Sequence, residues 1–150
     1  MIVSGSIIVT LFGCDSVNEL LNEKSIFYAI DDLDRLIMTE GKIDIIGVED
    51  IDIIEVKTKG KRGNIKCTPS TKLKLITEEE DIWKRVDSLE EGDMIKGVKH
   101  SAFRYEMGEK LEETFSILEI NSMKYSGDIF KVRSVDTDNY MVNSLIVSND

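Results

Sequence analysis

The chain has 150 residues, 41% of them hydrophobic and 32% charged, the balance of a soluble globular domain rather than of a disordered, fibrous or membrane chain. With 29 acidic against 19 basic residues the formal net charge is -10, a field that repels phosphate backbones and anionic lipid heads, so neither nucleic acid nor a membrane is expected as a partner. No apolar run reaches the roughly 20 residues of a spanning helix and no signal-like segment opens the chain, which makes a monomeric cytoplasmic protein the expectation. Cys14 and Cys67 can form at most one bridge, and neither sits in a metal-binding or redox pair. The single histidine, His100, excludes multi-histidine metal sites and most imidazole-based catalysis, so neither a metal nor a cofactor is expected.

Apolar and polar residues alternate in short runs bounded by Gly, Asn and Asp, which is the pattern of strands. Residues 6–12 read as a first strand, ended by Gly13, Cys14 and Asp15. Ser16 then stands as the N-cap of a short helix, with Glu19 three residues on as in a capping box. Strands are predicted over 26–30, 43–48 and 51–58, and a turn at 60–63 leads into 64–67 as a hairpin. Lys57, Lys59, Lys61 and Arg62 gather at that turn without interleaved aromatics and read as solvated turn charges.

Residues 72–77 alternate again, and Glu78, Glu79, Glu80 and Asp81 read as a solvated acidic turn rather than a metal site. Residues 82–86 carry Trp83, expected at the core or its rim, and 89–95 read as a helical turn running into a strand. Residues 102–113 are polar and without period, a loop with His100 at its edge. Strands over 114–123, 128–135 and 140–147 finish the chain, with Asp138, Asn139 and Asn143 expected to cap turns. Many short strands at even spacing imply a compact all-β architecture. Glycine-rich nucleotide loops, zinc-protease helices, nucleophile elbows and calcium loops are all missing from the sequence.

Four stretches in fixed order do stand out. Val3, Ser4, Gly5 and Ser6 precede the apolar run Ile7, Ile8, Val9. In mid-chain, Cys67, Thr68, Pro69, Ser70 and Thr71 follow Asn64, Ile65 and Lys66. Trp83 precedes Leu89, Glu90, Glu91, Gly92 and Asp93. The chain closes on Gly127, Asp128, Ile129, Phe130, then on Asn139 to Val142 and on Leu145, Ile146, Val147, Ser148 and Asn149. In this order and spacing the sequence resembles the hedgehog/intein (Hint) family of self-processing domains over essentially its whole length. The resemblance implies one domain over 1–150, an all-β Hint fold: a flattened pseudo-two-fold disc of antiparallel strands with one or two short helices and both termini near its centre. The stretch near 100–114 falls where larger inteins carry a homing endonuclease, and it is far too short to hold one.

The chemistry of that family needs a thiol or hydroxyl that attacks the preceding carbonyl, a threonine and a histidine that polarise the scissile peptide, and a terminal Asn that cyclises on its own carbonyl. At the matching positions stand Ile2 for the nucleophile, Thr68 for the threonine and Thr71 for the histidine. Lys131 stands where Asp is common, Asp138 where His is common, and Ser148 where a His assists cyclisation. Asn149 is present, but Asp150 follows it in place of the Cys, Ser or Thr acceptor. The resemblance thus implies catalytic positions at Asn149, Thr68 and Ser148, with Ile2, Thr71, Lys131, Asp138 and Asp150 altered. Ser4 and Cys67 are the alternative nucleophiles, Cys14 a weaker one. Thr68, Thr71, Asp138 and Ser148 are expected to converge where Ile2 meets Asn149. Two functions stay open: an autocatalytic, single-turnover splicing domain flanked by host-protein segments, defective except for residual cleavage after Asn149, or an inert β-domain kept as an interaction or structural module.

Overall fold

The computed structural model describes residues 1–3, 6–10, 13–16, 25–59, 63–98, 112–134 and 137–148. In chain order its strands are β1 (Ile2–Val3), β2 (Ile7–Thr10), β3 (Gly13–Ser16), β4 (Ser25–Ile30), β5 (Leu36–Thr58), β6 (Ile65–Cys67), β7 (Lys72–Leu75), β8 (Ile82–Arg85), β9 (Met94–Val98), β10 (Glu112–Ser134), β11 (Asn139–Val142) and β12 (Leu145–Ser148). They join into one 12-stranded sheet. A 3-10 turn over Val86–Ser88 is the helical element among the described residues.

Two strands organise the rest. β5 and β10 are each 23 residues long and pair antiparallel from Ile117↔Thr58 to Ser134↔Gly41. The sequence reading divides each into two strands at its polar, glycine-containing middle, but there the ladder bulges instead of breaking. The register shifts between Tyr125 and Gly127, where Asp50 (φ 52°) and Gly127 (φ 142°) take left-handed backbone. The Asp50 N–H donates to Ser126 Oγ (2.9 Å) and the Tyr125 hydroxyl to the Asp128 carbonyl (2.8 Å), holding the bulge closed. Residues 36–42, unassigned from sequence, belong to β5 because β4 pairs with them from Ile30↔Leu36 to Ser25↔Gly41. The Asp31 carboxylate closes that hairpin by accepting the Leu33 and Arg35 N–H groups, both at 2.9 Å.

Each long strand changes neighbours along its length. β5 begins beside β4 and ends beside β6; β10 begins beside β9 and later takes β1. The sheet therefore wraps on itself around Ile2, Phe27, Ile43, Val56, Leu73, Ile95, Phe130 and Leu145, all essentially buried. Between Ile43 and Ile53 the β5 side chains are half-buried or exposed.

Three further sequence expectations are corrected. Gly13–Ser16 does not end a strand but forms one, hairpinned on β2 from Thr10↔Gly13 to Ile7↔Ser16, with Ser16 as its last residue. The rest of the expected helix, residues 17–19, lies outside the described residues. Residues 140–147 form two strands, because Asn143 (φ 49°) and Ser144 (φ 67°) make the two-residue turn whose twist suits a hairpin. β10 starts at Glu112 and pairs with β9 as Glu112↔Val98, so the loop read over 100–114 is shorter; its residues 99–111 lie outside the described residues. The C-terminal hairpin seats on β9 through Leu145↔Gly97, where an added Cβ would collide with the Phe115 ring and the Ser144 carbonyl.

Candidate functional site

β1 is a short wedge with partners on both edges: Ile2 lies opposite Phe130 of β10 and opposite Cys67 of β6. Side chains alternate along it. Ile2, wholly buried, enters the main core, whereas Met1 and Val3 pack against Ile53 and Ile129 on the other face. The chain leaving β6 turns at once through Thr68, Pro69, Ser70 and Thr71, with the Thr71 N–H on the Thr68 carbonyl (3.0 Å) and Pro69 at the corner position that its fixed φ suits. The 3-10 turn backs this corner, since the Val86 N–H donates to the Thr71 carbonyl at 2.8 Å.

That corner grips the peptide between Met1 and Ile2. The Thr68 N–H donates to the Met1 carbonyl oxygen at 2.9 Å, and the Thr71 and Thr68 hydroxyls stand 3.2 and 3.4 Å from the same oxygen. The Met1 amine donates to Thr71 Oγ1 at 2.7 Å and Thr68 Oγ1 at 3.0 Å, and the two hydroxyl oxygens, 3.1 Å apart, lie within hydrogen-bond reach of each other as well as of the carbonyl. Both threonines are buried, 8% and 1% exposed, and every buried side-chain polar atom among the described residues has a partner. The arrangement is a set of fixed donors aimed at one backbone carbonyl, which can stabilise negative charge developing on that oxygen.

Cys67 sits directly beside this group. Burial pushes its thiol up to about 11, with the neighbouring Met1 ammonium and Thr71 hydrogen bond pulling weakly the other way. Near neutral pH it is a thiol, a poor nucleophile. Ile2 offers a hydrocarbon where the resemblance places the attacking atom. The chemistry-bearing parts here are therefore electrostatic, not nucleophilic.

The other predicted positions distribute as follows. Ser148, half-buried, ends β12 opposite Asn139, and its neighbour Val147 pairs with Leu73, two residues past Thr71. The N-terminal strand and the C-terminal strand thus dock on the same short run of chain. Lys131 lies in β10 opposite Asp44. Asp138 opens onto a separate cleft of about 200 Å³ lined by Asp31, Asp34, Lys74, Asp81, Trp83 and Lys96, among others. Asn149, Asp150 and Ser4 lie outside the described residues, as does His100; Cys14 is in β3.

Sequence reasoning missed two features of that cleft. Lys96, 3% exposed, reaches Asp34 (2.7 Å) and Asp81; burial works against its charge, but the two carboxylates outweigh it and its pKa is raised. Asn139, read as a turn cap, is buried and clamps β11 to β4: its Oδ1 accepts the Ile30 N–H (2.9 Å), and its Nδ2 donates to the Ile30 carbonyl (2.8 Å) and to Asp138 (2.7 Å). Trp83 is a rim aromatic, half-buried, with the Lys74 ammonium 4.5 Å above its ring.

No protein-family model and no curated protein matches the sequence. Solved structures do match its shape, over 99% of the chain. They include the PabCDC21-1 intein (TM-score 0.83, 13% identity, 98% of that chain), a DnaB intein from Synechocystis (TM-score 0.77, 21% identity, 97% of that chain) and a bacterial intein-like domain from Clostridium thermocellum (TM-score 0.75, 12% identity, 97% of that chain). The chain has the intein fold, end to end. No helix among the described residues is long and apolar enough to cross a membrane.

Proposed function

We propose that this is an intein-like self-processing domain, flanked by host-protein segments, whose N-terminal step has lost its nucleophile. The carrying observation is the Met1 carbonyl, gripped by the Thr68 N–H and flanked by two threonine hydroxyls, with Ile2 next in the chain. In an active domain, a thiol or hydroxyl on the residue after that carbonyl adds to its carbon. The carbon–nitrogen bond then breaks, the nitrogen takes a proton, and the amide becomes a thioester or ester. Here the electrostatic half of that step is present and the attacking atom is absent. Thr71, where a histidine is usual, can donate a hydrogen bond but cannot shuttle a proton near neutral pH.

The remaining outlet is cyclisation of Asn149 on its own carbonyl, unaided by histidine at Ser148 or Asp138, so slow. Asp150 offers no hydroxyl or thiol to accept a transferred segment. The domain on this reading spans 1–150, with the connection over 99–111 as its variable loop, acts as a cytoplasmic monomer and binds no nucleic acid. The complete burial of Ile2 within the core favours a second reading, an inert β-domain kept as a structural or interaction module.

The test is the intact mass of the domain placed between two unrelated flanking proteins. No ligated product is expected, and at most cleavage after Asn149 over hours to days, abolished by Asn149→Ala. Rapid splicing of the unaltered chain would overturn the reading. A wholly inert chain that stays inert with Ile2→Cys and Thr71→His would favour the structural module.

A further inference from the structure

The hairpin that carries the C-terminal end of the chain is anchored unevenly. β11 and β12 pair from Val142↔Leu145 beside the turn to Asn139↔Ser148 at the open end, and Asn149 follows Ser148 in the chain. The outer edge of β11 meets β2 through Val142↔Ile8, at the turn end. At the open end a side chain takes over from the backbone ladder. The Asn139 carboxamide, 4% exposed, accepts the Ile30 N–H at 2.9 Å and donates to the Ile30 carbonyl at 2.8 Å, as the peptide of a neighbouring strand would. Its second amide hydrogen goes to the Asp138 carboxylate at 2.7 Å, and the Asn139 carbonyl accepts the Thr137 hydroxyl at 2.8 Å. Ile30 is itself fixed: it ends β4 opposite Leu36, in a buried cluster that also holds Met141 and Ile146 of the hairpin.

We propose that Asn139 is a positioning residue for cleavage after Asn149, clamping the open end of the hairpin to Ile30 and so fixing Ser148, from which Asn149 must reach its own carbonyl. The inference rests on the self-processing reading above. Cyclisation is intramolecular, and its rate follows the fraction of time the attacking amide spends near attack geometry. Without a histidine at Ser148 or Asp138 to move protons, orientation is the lever that remains. Asn139 acts through Ser148, not on the reacting atoms. A leucine of similar size fills the same space but leaves the Ile30 N–H and carbonyl without partners in the core, so the strand end parts to let water reach them.

The experiment fuses a small stable protein after Asp150 and compares the parent with Asn139→Leu and with Asn139→Ser, which is too short to reach both Ile30 groups. Cleavage after Asn149 is followed by intact mass, and backbone order at Ser148 and Thr68 by NMR relaxation in the Asn149→Ala background. Thiol-induced cleavage at Met1, in matching upstream fusions that carry Ile2→Cys, serves as the control. Both variants are expected to cleave after Asn149 about tenfold more slowly, with thiol cleavage at Met1 unchanged within about twofold. The Ser148 order parameter should fall from about 0.85 toward 0.6 while that of Thr68 holds. An unchanged Ser148, equal loosening at Thr68, or equal Asn149 cleavage in parent and variants would each overturn the positioning role. If the parent does not cleave at all but Ser148 alone loosens, the clamp stands and the self-processing reading falls.

Discussion

The junction at Met1 and the cleft at Lys96 are both polar insertions into an apolar β-core, built on opposite principles. At the junction two hydroxyls and a backbone N–H are trained on a single carbonyl, and the amine of the same residue donates to both hydroxyl oxygens. In the cleft a buried ammonium is shared by Asp34, from the β4–β5 turn, and Asp81, from the turn leading into β8. The cleft ties three distant segments with charge and can be expected to carry stability. The junction holds one peptide with weak neutral donors and can be expected to carry reactivity. Strong pairing fixes a structure, whereas modest, well-aimed donors leave a bond able to change.

The largest effect expected is from Lys96→Met. It leaves two carboxylates facing each other, and urea denaturation should show a loss of about 3 kcal/mol, the lower end for breaking a buried pair because both aspartates keep some solvent. A loss under about 1 kcal/mol would erase the contrast, since the cleft would then be no firmer than the junction.

Next comes Cys67, whose thiol rises from an ordinary 9.0 to about 11. Between those values the unfolded chain gives up this proton and the folded chain keeps it, so stability falls as pH rises. The penalty is absent well below pH 9 and reaches about 2–3 kcal/mol near pH 11. Lysines and tyrosines titrate in the same window, so the measurement is the difference in slope of unfolding free energy against pH between the parent and Cys67→Ala. The variant should be flatter; parallel slopes would mean that the thiol is not shielded beside Met1.

The smallest effects belong to the hydroxyls. Thr71→Val and Thr68→Val should each cost about 1 kcal/mol. Because the two oxygens lie 3.1 Å apart and share Met1, the double variant should not equal the sum of the singles. Strict additivity in a double-mutant cycle would show two independent contacts rather than one grip.

Much of the strand order was legible because alternation survives wherever one face is buried, as at Ile51 and Ile53 or Leu73 and Leu75. It failed where the chain bulges at Asp50 and Gly127, since local turn chemistry does not reveal that a partner strand bulges in step. Thr68 and Thr71 could be picked out because the mid-chain stretch resembles a Hint-family block with a threonine and, three residues on, a histidine at those positions. Met1 could not, because its role comes from the register of β1 between β6 and β10, a pairing set by segments far away in sequence. Lys96 was hidden for a similar reason: nothing between Ile95 and Gly97 indicates that Asp34 and Asp81 arrive from other turns. Asn139 was misread because its local habit is to cap turns, and here tertiary packing places the Ile30 backbone within reach instead.

The β9–β10 ladder runs without a break from Ser116↔Met94 to Glu112↔Val98, where residues 99–111 connect the two strands. Whatever sequence fills that span, its ends are delivered side by side by a hydrogen-bonded stem. The entropic penalty of lengthening such a closed loop grows only logarithmically, about 0.6 kcal/mol per doubling. The stem is thus a port for grafting: a reporter or binding peptide spliced between Val98 and Glu112 should leave the rest of the sheet standing.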